Sequence, residues 1–232
     1  MKRALAVIVV MFLSAPFLTL RADEGRTERR RVEKAGRVMR EILNVPDDIP
    51  QNLLNHARCV VVMPSVVKGA FIFGGAYGRG VMVCRSGENY TGPWGAPTMM
   101  ALEGASFGFQ IGGEATDYVF LVMNDSGARS LLHSKVKLGA DASVAAGPVG
   151  RTTAADTDVF LHTELLTYSR ARGIFAGVSI EGSTLRPDGF ANHNLYGRDL
   201  TPEQIALEGE VPPPAAADPL IQRLDTSSPK LG

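Results

Sequence analysis

Apolar residues recur at Val32, Ala35, Val38, Met39, Ile42 and Leu43, while Arg30, Lys34, Arg37 and Glu41 fall between them. Steps of three and four residues put those apolar side chains on one side of a helix, so the pattern predicts an amphipathic helix from Arg26 to Leu43. Pro46 ends it, and Asp47, Asp48 and Pro50 open a second short helix toward Ala57. From Cys59 to Met63 the chain turns β-branched, and from Phe71 to Arg85 it reads as a Gly-rich hairpin in which Phe71, Phe73 and Tyr77 alternate with Gly69, Gly74, Gly75, Gly78 and Gly80. Glycine inside strands marks bends and close backbone approach, which predicts a strongly curved sheet. The texture returns at Ser106–Met123 and at Gly173–Leu185.

Ser126–His133 reads as a short helix, and Glu164–Arg170 as a strand pairing with Ile174–Ile180 across Arg172-Gly173. Asp188 starts a helix toward Tyr196, and Thr201, Pro202 and Glu203 supply an N-cap, a first-turn proline and an acidic first turn for another. After Gly209 the chain becomes Val211-Pro-Pro-Pro-Ala-Ala-Ala, so 198–232 is expected to hold that short helix followed by a mobile Pro/Ala-rich tail. The fold class that follows is α+β. A single domain over 26–197 holds a curved, mainly antiparallel sheet or partial barrel, covered by the N-terminal amphipathic helix and short helices.

Lys2 and Arg3 precede an apolar stretch from Ala4 to Leu13, broken afterwards by Ser14, Pro16 and Thr19. This has the build of a cleavable export signal over 1–22, with an uncleaved anchor as the alternative. The expected destination is the periplasm or the exterior, where Cys59 and Cys84, the only two cysteines, are expected to pair or else to remain as two buried thiols.

Basic and acidic residues balance at 24 each, which argues against bulk electrostatic capture of nucleic acid. The balance is uneven locally: Arg26–Arg40 holds seven basic residues against Glu28 and Glu33. Candidate chemistry is sparse. Ser65-Val-Val-Lys68 has the serine and lysine spacing of an acyl-enzyme nucleophile, without the accompanying Ser-Asp-Asn and Lys-Thr-Gly motifs. The glycines of Gly74–Gly80 are not in phosphate-loop order, and His56, His133, His162 and His193 lack metal-ligand spacing, so no cofactor and no metal are expected. Asn89-Tyr90-Thr91 is a glycosylation sequon in form. Ser134–Arg151 is almost wholly small or aliphatic, with Lys135, Lys137 and Arg151 at its ends. Two readings stand: cations bracketing a close-approach surface for phosphate groups, or an inner strand whose cations reach water.

Four blocks carry a resemblance. Pro64–Gly80, Gly104–Gly112, Lys137–Gly150 and Tyr168–Gly182, in this order, resemble the successive blocks of the SYLF, or Ysc84-type, lipid-binding domain. The chain resembles an exported bacterial branch of that family. It differs from eukaryotic members in its export signal, its cysteine pair and the lack of an SH3 or FYVE domain. The resemblance implies a non-enzymatic protein that meets anionic phospholipid or a membrane surface, the alternative being an envelope-assembly module that binds another exported protein. Local charge and the resemblance together select Arg30, Lys34 and Arg37 on the helix, Lys68 and Arg79 beside the first Gly-rich segment, and Lys135, Lys137 and Arg151 as lipid-contacting candidates. Neither names the lipid or the oligomeric state.

Overall fold

A computed structural model describes residues 25–45, 49–70, 74–87, 90–106, 114–149, 162–171, 174–177, 180 and 182–229. The segment 1–22 read as an export signal, Arg151, Asn89 of the sequon, Phe71, Phe73 and the Phe107–Gly113 stretch lie outside the described residues.

Helix α1 (Arg26–Ile42) forms where the spacing predicts it, with Val32, Ala35, Val38, Met39 and Ile42 all buried. Helix α2 (Gln51–His56) follows and buries Leu53 and Leu54. Strands β1 (Cys59–Ala70) and β2 (Gly74–Cys84) then form an antiparallel pair. The Phe71–Arg85 run is therefore not a hairpin by itself. Its described part, Gly74–Cys84, is the second arm of a hairpin whose first arm is β1.

Strands β3 (Thr98–Ser106) and β4 (Glu114–Val122) extend the sheet on either side, β3 beside β2 and β4 beside β1. Helix α3 (Asp125–His133), capped by the Asn124 side chain on the Gly127 N–H, leads to β5 (Val136–Lys137) and β6 (Val144–Ala146). Strands β7 (Leu165–Ala171), β8 (Ile174–Gly177) and β9 (Ser183–Pro187) complete one nine-stranded sheet in the order β5-β9-β3-β2-β1-β4-β7-β6, with β8 also on β7. The β7–β8 pairing is the expected one.

Strands β5 and β6 sit at opposite ends of that order, yet only the link Leu138–Ser143 separates them. Such a link reaches at most about 25 Å fully extended, so the two edges are held near each other and the sheet is strongly curled. All pairings are antiparallel except β6 with β7.

Each face has its own core. One unites Val60, Val62, Val81, Val83, Met99, Val119, Leu121 and Tyr168 with α1 and α2; the other unites Val61, Met63, Met82, Met100, Leu102, Phe120 and Val122 with Leu131 and Leu132 of α3. Burial on both faces explains the unbroken apolar run Cys59–Met63 that opens β1, since all five side chains are buried. Cys59 and Cys84 are register partners joined by a disulfide. Closing a loop of this separation, 25 residues, contributes about 3 kcal/mol.

Helix α4 (Gly189–Tyr196) is capped by Asp188, and α5 (Pro202–Ala206) by a capping box between Thr201 and Gln204, as the sequence implies. The segment read as a mobile tail is different. A 3-10 turn at Ala215–Ala217 leads into α6 (Asp218–Ser227), whose Leu220 and Leu224 are fully buried against the α1 side of the sheet. Gly36 permits the approach, because a Cβ there would lie 3.0 Å from the Leu220 nitrogen.

Candidate functional site

Burial of one stripe of α1 forces its other stripe outward. Arg26, Arg29, Arg30, Lys34, Arg37 and Arg40 are all exposed, with Glu33 among them. Glu41 is spoken for: it binds Arg170, whose guanidinium also meets Asp117 at 2.7 Å. Burial opposes the Arg170 charge, but the two carboxylates outweigh it and its pKa is raised. The outer face of α1 is thus strongly cationic, and Arg30, Lys34 and Arg37 fall on it together as predicted. The apolar face of the same helix lies in the core and is not available for insertion into lipid.

The other candidates sit elsewhere. Lys68 lies on β1 opposite Ala76 and Glu114. Lys135 and Lys137 are exposed at the β5 edge, where the Lys137 N–H bonds to the Asp141 carboxylate at 2.7 Å. Arg79 faces the α1 side of β2, and it is not a free cation. Its Nε lies 3.3 Å from the buried Asp188 carboxylate and 2.7 Å from the Tyr77 hydroxyl. Asp188 serves two ends, since its other oxygen accepts from the Ala191 N–H as the α4 cap.

Around Arg79 gathers a group that local sequence does not mark. Arg186 donates to Glu103 through Nε at 3.1 Å, and this bond holds the Glu103 carboxyl below its usual range, helped by Lys135 and Arg79. The Arg186 pKa is raised in turn, first by the same bond. Arg31, on the flank of α1, has its pKa lowered, first by burial and then by the nearby Arg79 charge. Its position between the exposed and buried stripes is the one signal in the sequence.

The serine and lysine of the candidate nucleophile motif are not brought together. Ser65 and Lys68 lie on one strand, so the helical-turn juxtaposition that the motif needs does not form. Ser65 occupies an irregularity of β1 with φ of 53°, and its N–H bonds to Asp117 at 2.8 Å. Among the described residues, no three His, Cys, Asp or Glu side chains are grouped to hold a metal ion, and no helix is long and apolar enough to cross a membrane.

A curled α+β sheet wrapped by helices, with a charged outer helix and a dense interior, defines a domain built around surfaces. A family model described as Ysc84, Las17-binding protein actin regulator, matches residues 103–227, and the chain belongs to this Ysc84-type, or SYLF, family. The match runs beyond residue 197, the boundary drawn from the sequence, to the last residue of α6. Protein YSC84 of Saccharomyces cerevisiae is 35% identical over 210 residues, covering 87% of this chain and 44% of that protein. LAS seventeen-binding protein 3 of the same yeast is 32% identical, over 87% of this chain and 45% of its own length. The human SH3 domain-containing YSC84-like protein 1 is 32% identical, over 85% of this chain and 58% of its own. The chain spans about half the length of these curated relatives. The name LAS seventeen-binding protein 3 describes binding, and the family description adds actin regulation.

Proposed function

We propose that this chain is a non-enzymatic binding domain of the periplasm or the exterior that docks on anionic phospholipid through the outer face of α1. The observation that carries the reading is the row Arg26, Arg29, Arg30, Lys34, Arg37 and Arg40, exposed against Glu33 with Glu41 already paired to Arg170. Each cation near an anionic surface contributes about 1 kcal/mol before screening, so the row supports reversible docking of about 5 kcal/mol. The contribution of α1 to this docking is electrostatic, because its apolar stripe is committed to the core.

Neutralising Arg30→Gln, Lys34→Gln and Arg37→Gln together is expected to lower partitioning onto equimolar phosphatidylcholine and phosphatidylserine vesicles about 100-fold at low salt. Lys135→Gln with Lys137→Gln is expected to change it little. Vesicle flotation across a salt series reads both. A wild-type protein that stays at the bottom of the gradient at low salt sinks the proposal. The relatives named for binding Las17 favour a second reading, in which the same cationic row meets an acidic protein partner; capture without flotation is its signature. Export is tested separately. Amino-terminal sequencing of protein recovered from the cell envelope is expected to begin at Asp23, and a retained Lys2 and Arg3 would count against a cleaved signal.

A further inference from the structure

The sheet face beneath α1 extends beyond its helical cover. Along β2 the residues Tyr77, Arg79, Val81 and Val83 share that face, and Val81 and Val83 lie in the helix-side core. Tyr77 continues the row into solvent, 49% exposed. Val67, its register partner on β1, points to the same face and is 53% exposed. Arg79 connects Tyr77 to Asp188, and two residues beyond Asp188, in the first turn of α4, Phe190 is 73% exposed. Among the described residues these three are the exposed large apolar side chains. Single apolar residues on a surface carry no message. Here Val67 and Tyr77 lie at one end of an ion pair and Phe190 follows two residues after its other end, and Arg31 of α1 lies within electrostatic reach of Arg79, Asp188 and Tyr77.

We propose that Val67, Tyr77 and Phe190 form an interfacial anchor that enters the headgroup boundary of an anionic bilayer beside the cationic face of α1. The proposal rests on the membrane reading above and names the surface that supplies its apolar contact, which α1 itself cannot. Charge selects the occupant. A bilayer offers lipid phosphates to the helix row and an acyl boundary to the three side chains in one surface, and tyrosine and arginine suit such a boundary because each has an apolar body and a polar end. A second copy meeting the same patch by two-fold symmetry would bring two cationic rows together.

Vesicles of equimolar phosphatidylcholine and phosphatidylserine serve as the probe. Phe190→Ser is expected to lower partitioning about tenfold, with a similar loss for Val67→Ser combined with Tyr77→Ser. The loss persists at high salt, where neutralising Arg30, Lys34 and Arg37 has lost its effect. All three side chains are exposed, so an unchanged melting temperature verifies the fold of each variant. In Phe190→Trp, vesicle addition is expected to shift the new indole emission to the blue, and acyl-chain-brominated lipid to quench it, against the fixed background of buried Trp94. Wild-type protein that floats, with serine variants floating equally well or with no quenching of the bound Trp variant, overturns the anchor and leaves the membrane reading standing. Wild-type protein that does not float overturns the membrane reading itself. A concentration-dependent dimer dissolved by Phe190→Ser assigns the patch to a second copy and overturns the anchor.

Discussion

Ending the chain at Glu210 is expected to abolish its cooperative unfolding transition or to lower its midpoint drastically. Residues 211–229 include α6, which buries Leu220 and Leu224 in the same core as Val32, Ala35 and Met39 of α1. Removing two fully buried leucines withdraws about 3–6 kcal/mol of apolar burial. Arg223 is lost with them, and with it the bonds it donates to the Leu43 carbonyl and, at 2.9 Å, to the Asn44 side chain at the end of α1. The larger consequence falls on Arg85. Its guanidinium is buried, stacks 4.8 Å from the Trp94 ring, donates to the Tyr90 carbonyl at 2.9 Å and donates again to the Ser228 carbonyl. Burial lowers its pKa, and the Asp225 charge opposes that shift. Truncation removes Ser228 and Asp225 together and leaves a buried cation short of partners, an omission that costs about 3 kcal/mol or more. The combined loss rivals the whole stability of an ordinary domain, about 5–15 kcal/mol. Circular dichroism melts of the two proteins decide it. A shortened chain that melts within a few degrees of the full one would show that α6 is an appendage.

That helix was illegible in the sequence for a physical reason. Only Leu220 and Leu224 carry its pattern, and the Pro/Ala run before them has the composition of a tail. What orders it lies far away along the chain: the space over Gly36 and the buried guanidinium of Arg85. By contrast, α1 announces itself through six apolar positions at helical spacing, and Asp188 and Thr201 announce their helices through local capping chemistry. Strand β3 was missed because Met99, Met100, Ala101 and Leu102 are weak strand formers buried on both faces, so neither propensity nor alternation marks them.

The candidate surface divides along the same line. The cationic row of α1 follows from helical spacing once one stripe is known to be buried. Arg79 read as a free cation because its counterion, Asp188, arrives from a distant part of the chain. Val67, Tyr77 and Phe190 went unmarked as a surface because only tertiary structure brings β1, β2 and α4 to one place.

Close packing at Gly147, in the described part of the small-residue segment, supports the second large prediction: Gly147→Ala and Gly177→Ala are each expected to destabilise the protein by about 3 kcal/mol, roughly 6–12 °C in melting temperature. One edge of β7 is shared by two strands in succession. Strand β6 pairs with Leu165–Thr167, and β8 pairs with Tyr168–Ala171. They meet at Tyr168, where the Gly147 N–H bonds to the Thr167 carbonyl at 3.0 Å and Gly177 is the register partner of Tyr168. A Cβ on Gly147 would lie 2.1 Å from the Tyr168 ring, and one on Gly177 would lie 1.9 Å from the Gly147 carbonyl oxygen. Neither obstacle is a flexible side-chain end: Tyr168 is fully buried and burial drives its pKa upward, while the Gly147 oxygen is backbone. Gly189→Ala is the contrast, since nothing lies within 4 Å of its Cβ position and it begins a helix, so alanine there is expected to be neutral or slightly stabilising. The two harmful changes fall at one strand junction, where Gly147 is itself the obstacle to a side chain at 177, so the double variant is expected to lose less than the sum of the singles. Additive losses, or singles that melt with the wild type, would show that the strand junction has room and that the glycines of this segment are there for another reason.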